Sequence, residues 1–139
     1  MDNEKELIIQ RLFELNKQAM SKFEHCTGIS QTRLDILREL YESGEINQRA
    51  LQKKINIDHA AVTRHLKQLE EHNMVSRRKN TEDNRFTYVQ LTPEGIRRVS
   101  SYCEKKQSYI SNVLKGFTKE ESSLLLGMLT RIQSNIEEI

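Results

Sequence analysis

The chain has 139 residues, of which 36% are hydrophobic and 30% are charged, with one proline and five glycines. This length suits one domain over residues 1–139, and the composition excludes a loop-rich sandwich, a low-complexity linker and a membrane helix, which needs about 20 consecutive apolar residues. The acidic N-terminus lacks the apolar stretch of a secretory signal, so we expect a cytoplasmic protein.

The net charge of +2 is unevenly distributed along the chain. Between Gln48 and Arg85 there are nine basic and five acidic residues, a surplus of four positive charges, and the rest of the chain carries a net charge of −2. A basic centre between more acidic flanks is typical of a nucleic-acid-binding surface on a more neutral scaffold.

Two amphipathic helices are predicted at the start of the chain. Apolar residues recur every three or four positions from Ile8 to Phe23, which predicts a helix over about residues 4–23 that ends before Gly28. Ser30 is the expected N-cap of the second helix. One face of this second helix is expected to hold Leu34, Leu37, Leu40 and Tyr41, with Ile36 beside them.

A helix-turn-helix is predicted next. Asn47 and Asp58 are suitable N-caps for two short helices, and only the tight turn at residues 56–57 separates these helices. The second short helix is amphipathic and is the expected recognition helix. Its inward residues are Val62, Leu66 and Leu69.

The hydrophobic period then changes from helical to alternating. Residues 74–79 and 86–91 are rich in β-branched, aromatic and long side chains, and the polar cluster at residues 80–85 separates them. This pattern predicts a β-hairpin with a charged tip. Together with the preceding helices it indicates a winged helix-turn-helix.

Two further helices are predicted to complete the chain. Thr92 and Pro93 suit the N-cap and the first position of a helix that runs to about Lys115, and Thr118 begins a capping box for the last helix. The apolar stripe of the last helix consists of Leu125, Leu129, Ile132, Ile136 and Ile139.

The first and last helices carry narrow apolar seams at spacings typical of coiled coils. Each seam could pack on its own domain, but a chain with this modest apolar fraction has little core to spare. We therefore expect a helical dimer interface. The expected fold class is mainly α with a small β-hairpin wing (α+β), in which residues 30–91 form the DNA-binding part and residues 1–27 and 92–139 form the dimerisation part.

The outer face of the recognition helix is the first candidate DNA-binding surface. A small residue at Ala60 allows a close approach to the major groove, and Arg64 can donate a bidentate pair of hydrogen bonds to guanine. A solvated face on an ordinary helix would look the same in isolation, but the adjacent wing favours the DNA-binding interpretation. The candidate residues on this face are His59, Ala60, Thr63, Arg64 and Lys67.

The wing and the start of the first short helix supply further candidates. Arg85, with Asn84 beside it, lies at the expected hairpin tip, where a long planar cation can enter a narrow minor groove. Asp83 is expected to orient a nearby arginine, because an unpaired carboxylate there would repel phosphate. Residues that would bind phosphates are Arg77 and Arg78 on the first strand and Gln48 and Arg49 on the short helix.

The stretch from Asp83 to Gly95, which reads Asp-Asn-Arg-Phe-Thr-Tyr-Val-Gln-Leu-Thr-Pro-Glu-Gly, resembles the wing signature of MarR-type transcriptional regulators. That signature is Asp-x-Arg followed by a strand that ends in Leu-Thr-x-x-Gly. Residues 62–70 are similar to the recognition helix of the same family, and the order of helices matches over nearly the whole chain. Asn73 stands where the family usually has glycine, and asparagine tolerates the left-handed conformation.

The resemblance implies a homodimer assembled from the first, fifth and sixth helices, which binds a pseudo-palindromic operator on double-stranded DNA and acts mostly as a repressor. It also implies that a small, often aromatic or anionic, ligand releases the DNA from a cleft between the dimerisation and DNA-binding parts. Some members of the family sense oxidants through cysteine instead, and a few sense zinc.

Two cysteines, Cys26 and Cys103, are too few for a disulfide framework and are expected to be free thiols. Cys26 follows His25 and is the candidate for a redox role, since a neighbouring imidazolium activates a thiol. Adjacent helical residues point about 100° apart, so this adjacency does not establish a contact. With Glu24 these residues form only a partial zinc ligand set, and we expect no metal site and no cofactor.

Enzymatic activity is not expected, because the sequence has no glycine-rich phosphate loop, HExxH motif or Gly-x-Ser-x-Gly motif. The sequence therefore predicts a sequence-specific DNA-binding transcriptional regulator. Two alternatives remain open. A winged-helix protein-assembly module would show no DNA sequence preference, and an architectural DNA binder would show salt-dependent binding without that preference.

Overall fold

The computed structural model describes residues 3–139 and contains six α-helices and three short β-strands within them. In chain order they are α1 (Asn3–Thr27), α2 (Gln31–Ser43), β1 (Ile46–Asn47), α3 (Gln48–Ile55), α4 (His59–Glu71), β2 (Val75–Lys79), β3 (Thr87–Leu91), α5 (Pro93–Val113) and α6 (Lys119–Glu137). The predicted class, mainly α with a small β-wing after a helix-turn-helix, is confirmed. Within residues 3–139, no helix combines the length and the apolar character needed to cross a membrane.

Polar N-cap side chains determine where the central helices begin. The predicted caps Ser30, Asn47 and Asp58 each accept a hydrogen bond from a backbone N–H in the first helical turn, at 3.3, 2.7 and 2.7 Å. The predicted capping box is also present, because Thr118 and Glu121 each accept a hydrogen bond from the other's backbone N–H, at 3.1 and 3.0 Å. These four helix starts are confirmed.

The sheet has three antiparallel strands in the order β1-β3-β2. The hairpin of β2 and β3 matches the prediction, with Val75 opposite Leu91 and Arg78 opposite Tyr88. The additional strand β1 was not predicted, and it places Ile46 opposite Val89. Because β1 leads directly into α3, this pairing ties the wing to the start of the helix-turn-helix.

The core lies between α2, α3, α4 and the sheet. The prediction that Tyr41 faces inward is wrong, since its side chain is exposed, whereas Ile36, predicted to lie beside the apolar face, is fully buried. The reason is that α2 contacts elements on more than one side, namely α1, α3 and β3, so its buried surface is wider than one stripe. Fully buried side chains include Leu34, Ile36, Leu37, Leu51, Val62, Leu66, Leu69 and Val89.

The first half of α5 packs closely against the chain that follows α4. Val99 and Tyr102 are buried, whereas Ile96 is exposed. At Gly95 a Cβ atom would lie 2.1 Å from the backbone oxygen of Met74, so only glycine fits there. This contact fixes the distance between α5 and the start of β2.

The structure divides into two compact units, one that ends at Lys106 and one over residues 107–139. In the first unit, α1 exposes a row of large apolar side chains: Leu7, Ile8, Ile9, Phe13, Leu15 and Met20. In the second unit, α6 contains no buried residue. Its exposed apolar side chains are Leu124, Leu126, Met128, Leu129 and Ile136.

Candidate nucleic-acid interface

Helix α4 has one anchored face and one open face. Val62, Leu66 and Leu69 are fully buried and hold the helix against the core. On the opposite side the residues predicted to contact DNA are exposed, except for Thr63, which is half-buried. The exposed ones are His59, Ala60, Arg64 and Lys67.

Two hydrogen bonds organise the start of this open face. The hydroxyl of Thr63 donates to the backbone oxygen of His59 at 2.9 Å, and Gln48 Nε2 donates to Thr63 Oγ1 at 3.4 Å. Gln48 is the first residue of α3, so this contact joins the start of α3 to a residue one turn into α4. Gln48 and Thr63 therefore lie together, as one surface, although they are 15 residues apart.

The basic residues of the helix-turn-helix differ in whether an acidic partner compensates their charge. Within residues 3–139, Arg49, Arg64 and Lys67 form no ion pair. Their positive charges are therefore directed at solvent, where a polyanion would be attracted.

The two arginines of β2 are compensated. Arg77 Nη2 lies 3.1 Å from Glu70 Oε1, and Arg78 Nη2 lies 2.6 Å from Glu45 Oε1. The hydrogen bond from Arg78 holds the pKa of the Glu45 carboxyl below its ordinary value. The Arg78 guanidinium also lies over the ring of Tyr88, 4.9 Å from its centre.

The tip of the wing has a defined internal structure. Arg85 donates to the Asp83 carboxylate from Nη2 at 2.8 Å and from Nε at 3.0 Å, and this pairing lowers the pKa of Asp83. The Arg85 side chain nevertheless stays 82% exposed. Asn80 Oδ1 accepts the backbone N–H groups of Glu82 and Asp83, at 2.8 and 3.3 Å. Asn84 is exposed beside this pair.

His65 connects the back of α4 to α2. Its Nδ1 accepts a hydrogen bond from Arg33 Nε at 3.1 Å. Burial lowers the pKa of His65 first, and the charges of Arg33 and Arg64 lower it further. Both the lowered pKa and the hydrogen bond accepted from Arg33 favour the neutral form of the imidazole.

A cleft of about 490 Å³ lies between α2 and the first half of α5. It combines a guanidinium, an aromatic ring, apolar side chains and a thiol, a mixture suited to a small organic ligand. The lining residues are Arg38, Tyr41, Glu42, Ile96, Val99, Ser100 and Cys103. Apart from the apolar residues of α5, these positions carry no pattern that marks them in the sequence.

The cysteines occupy different environments. Cys26 is exposed near the end of α1, and Cys103 is half-buried in the α2–α5 cleft. In the part of the chain that the structure describes, no group of three or more His, Cys, Asp or Glu side chains is arranged to hold a metal ion.

Comparison with known proteins establishes the family. A sequence model described as MarR family matches residues 29–87. The uncharacterized HTH-type transcriptional regulator YdgJ of Bacillus subtilis is 50% identical over 132 residues, which cover 95% of this chain and 80% of YdgJ. The chain belongs to the MarR family. It is therefore a DNA-binding transcriptional regulator.

Other relatives carry related descriptions. The HTH-type transcriptional repressor YetL of B. subtilis is 31% identical over 123 residues, which cover 85% of this chain and 74% of YetL. A mutant MarR from E. coli, solved with operator DNA, is 22% identical and has a TM-score of 0.79, with 94% of this chain and 96% of that chain covered.

A further structural neighbour comes from a study of how 6-hydroxynicotinic acid regulates DNA binding by BpsR of Bordetella bronchiseptica. It is 17% identical, with a TM-score of 0.77 over 91% of this chain and 98% of that chain. At this level of identity, the likeness of both solved structures to this MarR-family chain concerns the fold.

Proposed function

We propose that the protein is a homodimeric repressor that binds a pseudo-palindromic operator and is released by a small-molecule or other signal. The observation that carries this proposal is the difference between the two faces of α4. Its inner face is fully buried, while its outer face presents Arg64 and Lys67, which pair with no acid in the described part of the chain. In a dimer, two such helices would enter successive major grooves about one turn of DNA apart.

The residues on this surface would divide between base contacts and phosphate contacts. Arg64 would form a bidentate pair with guanine, and Thr63, His59 and Ala60 would line the approach to the base edges. Phosphate contacts would come from Gln48, Arg49 and Lys67. Neither Arg49 nor Lys67 forms an ion pair with another residue of the range 3–139.

The wing would contact the flanking minor groove. Arg85 and Asn84 lie at its tip, and Asp83 would hold the Arg85 guanidinium in one orientation. Arg77 and Arg78 would add phosphate contacts from β2. Their contribution would be smaller than that of Arg49 or Lys67, because Glu70 and Glu45 already neutralise their charge.

Dimerisation would bury the exposed apolar surfaces of α1 and α6. A monomer rarely leaves such rows of large apolar side chains in water, and rows of this kind are typical of interaction surfaces. Substitution of Ile136 by glutamate should therefore lower the molar mass measured by light scattering from that of a dimer to that of a monomer. A wild-type chain that is monomeric at high concentration would contradict the dimer.

A small aromatic acid would suit the cleft between α2 and α5. Arg38 would pair with its carboxylate, Tyr41 would contact its ring, and Ile96 and Val99 would contact its apolar edge. BpsR, a neighbour in fold, is described as regulated by 6-hydroxynicotinic acid, which belongs to this chemical class. The two recognition helices would be spaced differently in the DNA-bound and DNA-free conformations of the dimer. Such a ligand would release DNA only if its affinity for the DNA-free conformation is higher than its affinity for the DNA-bound conformation.

A thiol would be the alternative sensor, with Cys26 as the predicted candidate and Cys103 as the one that lines the cleft. In either case the protein would act at the chromosome, and we infer a cytoplasmic location from this role.

The test is binding to duplex DNA from the region upstream of the chain's own gene, compared with a scrambled duplex, over a salt series. The proposal expects a preference of about 10³-fold or more for one sequence and a steep decrease in affinity with salt. Salt-dependent binding without preference would indicate an architectural DNA binder. Binding to neither duplex at low salt would contradict the proposal and favour a protein-assembly module.

A further inference from the structure

A second cleft, of about 350 Å³, lies where α3 approaches the first residue of α4. It is lined by Arg49, Gln52, Lys53 and His59, so two permanent cations, an amide and an imidazole surround it, and no carboxylate from residues 3–139 does. Gln52 and Lys53 are not among the DNA-binding residues predicted from the sequence, which on α3 include only Gln48 and Arg49 at the start of the helix.

The two adjacent lysines of α3 have different surroundings. Lys54 Nζ lies 2.9 Å from Glu39 Oε1 on α2, and this ion pair lowers the pKa of Glu39. Lys53 lines the cleft and, within residues 3–139, forms no ion pair. Its charge is therefore available to an external anion, whereas the charge of Lys54 is used within the protein.

The acid nearest to the cleft in sequence is already engaged. Asp58 is the N-cap of α4, and its Oδ1 accepts the backbone N–H of Ala61 at 2.7 Å. The first turn of a helix also directs backbone N–H groups and the positive end of the helix dipole outward. At the start of α4 the Asp58 carboxylate offsets part of this field, so the positive charge of the cleft comes mainly from Arg49 and Lys53.

The position of the cleft relates it to the DNA-binding face. His59 lines the cleft, and its backbone oxygen accepts the hydroxyl of Thr63 one turn further along α4. A group bound in the cleft would therefore lie beside the entrance of the recognition helix into the major groove, next to the residues that approach the bases.

We propose that this cleft binds one backbone phosphate of the DNA, at the edge of the groove that α4 enters. This inference rests on the proposed function and specifies one contact between the protein and the DNA backbone. Arg49 holds the phosphate through its planar fork, Lys53 adds a point charge, and the amide of Gln52 donates a hydrogen bond. A contact to phosphate carries no sequence information, so the cleft fixes the register of the protein on any duplex.

The test compares Lys53→Gln with Lys54→Gln, since both variants remove one positive charge from neighbouring positions of one helix. Binding to a short random duplex is measured by fluorescence anisotropy over a salt series, after circular dichroism has verified that both variants fold. Loss of one phosphate contact should reduce the slope of log affinity against log salt by about 0.9 for Lys53→Gln. Lys54→Gln should keep the wild-type slope.

An unchanged slope for Lys53→Gln, or an equal reduction in both variants, would overturn the cleft as a phosphate site. These outcomes leave the proposed function intact as long as the wild type binds DNA. If the wild type binds neither this duplex nor the upstream duplex at low salt, both proposals fail together.

Free inorganic phosphate could occupy the cleft in place of a phosphate of the DNA backbone. Inorganic phosphate is therefore titrated into the protein without DNA, and the histidine NMR signals are followed. No shift at millimolar phosphate supports a site that needs the DNA backbone. Saturable binding of inorganic phosphate that Lys53→Gln abolishes, together with an unchanged DNA slope, would assign the cleft to a free phosphate and overturn the proposal.

Discussion

Arg33 on α2 donates a hydrogen bond from Nε to Nδ1 of His65 on α4, at 3.1 Å. An arginine only donates, so His65 must accept at Nδ1 and carry its proton on Nε2. This bond is a direct side-chain link between α2 and the recognition helix, and it exists only while the imidazole is neutral.

Protonation of His65 should destabilise the fold. Burial and the charges of Arg33 and Arg64 lower the pKa of His65 from its ordinary value of 6.5. In the window between the lowered pKa and 6.5, the unfolded chain binds more protons than the folded chain. The stability linked to His65 is therefore fully present above this window and is lost as the pH falls through it.

Urea unfolding at about pH 7.5 and about pH 5.5 measures this linkage. The variant His65→Gln keeps an acceptor for Arg33 but does not titrate, so it should lose less stability between the two pH values than the wild type. His72→Gln, on the residue that follows the same helix, is the matched control. An identical pH dependence for His65→Gln and the wild type would refute the linkage.

Arg64 is expected to read a base. Its replacement by alanine should reduce the ratio of operator affinity to random-DNA affinity by about tenfold to a hundredfold, because a bidentate arginine–guanine pair discriminates by about 1–3 kcal/mol. The variant Arg49→Ala removes a phosphate contact instead and should weaken both affinities by similar factors. Competition binding with both duplexes measures the ratio. Equal losses for Arg64→Ala on both duplexes would remove its assignment as a base reader.

Asp83 is expected to orient Arg85 rather than to contact DNA. The substitution Asp83→Asn removes an acid near the phosphates but also frees the guanidinium that Asp83 holds at 2.8 Å. Affinity for random DNA should therefore rise or stay constant, while affinity for the operator falls. Arg85→Ala should lower both. If Asp83→Asn strengthens binding to both duplexes equally, the carboxylate has no orienting role.

Gly95 should be intolerant of any side chain. In Gly95→Ala the new Cβ would lie 2.1 Å from the backbone oxygen of Met74, and backbone cannot move aside as a flexible side chain can. We expect a destabilisation of about 3 kcal/mol or more, measured by urea unfolding. Ser101→Ala, at an exposed position of the same helix, is the control and should be nearly neutral. Wild-type stability for Gly95→Ala would contradict the close approach of α5.

Local signals in the sequence predict most of the secondary structure, because they act over a few residues. The caps at Ser30, Asn47 and Asp58 are examples, since each bonds within three residues of itself. Strand β1 is not predictable in this way. Its two residues show no alternation, and it exists because Ile46 pairs with Val89, a partner far along the chain.

The candidate site is likewise only partly predictable from the sequence. The outward residues of α4 follow from the helical period once the inward ones are known. The sequence does not predict which basic side chains lack an acidic partner. Ion pairs depend on contacts between residues distant in the sequence, such as Arg78 and Glu45, which are 33 positions apart. For the same reason nothing in the sequence separates Lys53 from Lys54, although among the residues that the structure describes Lys54 pairs with Glu39 and Lys53 pairs with no acid.

The hydrogen bonds of Asn80 give the tip of the wing its shape before any DNA is present. Asn80 accepts from the backbone of the turn and also donates to the Tyr88 hydroxyl at 3.4 Å, so none of the bonds that Asn80 makes involves Arg85. Asn80 thus determines the conformation of the turn, whereas Arg85 provides the side chain at its end. A single substitution at Arg85 can therefore change the operator preference at the minor groove in descendants of this chain. The turn that carries the substituted residue would still fold.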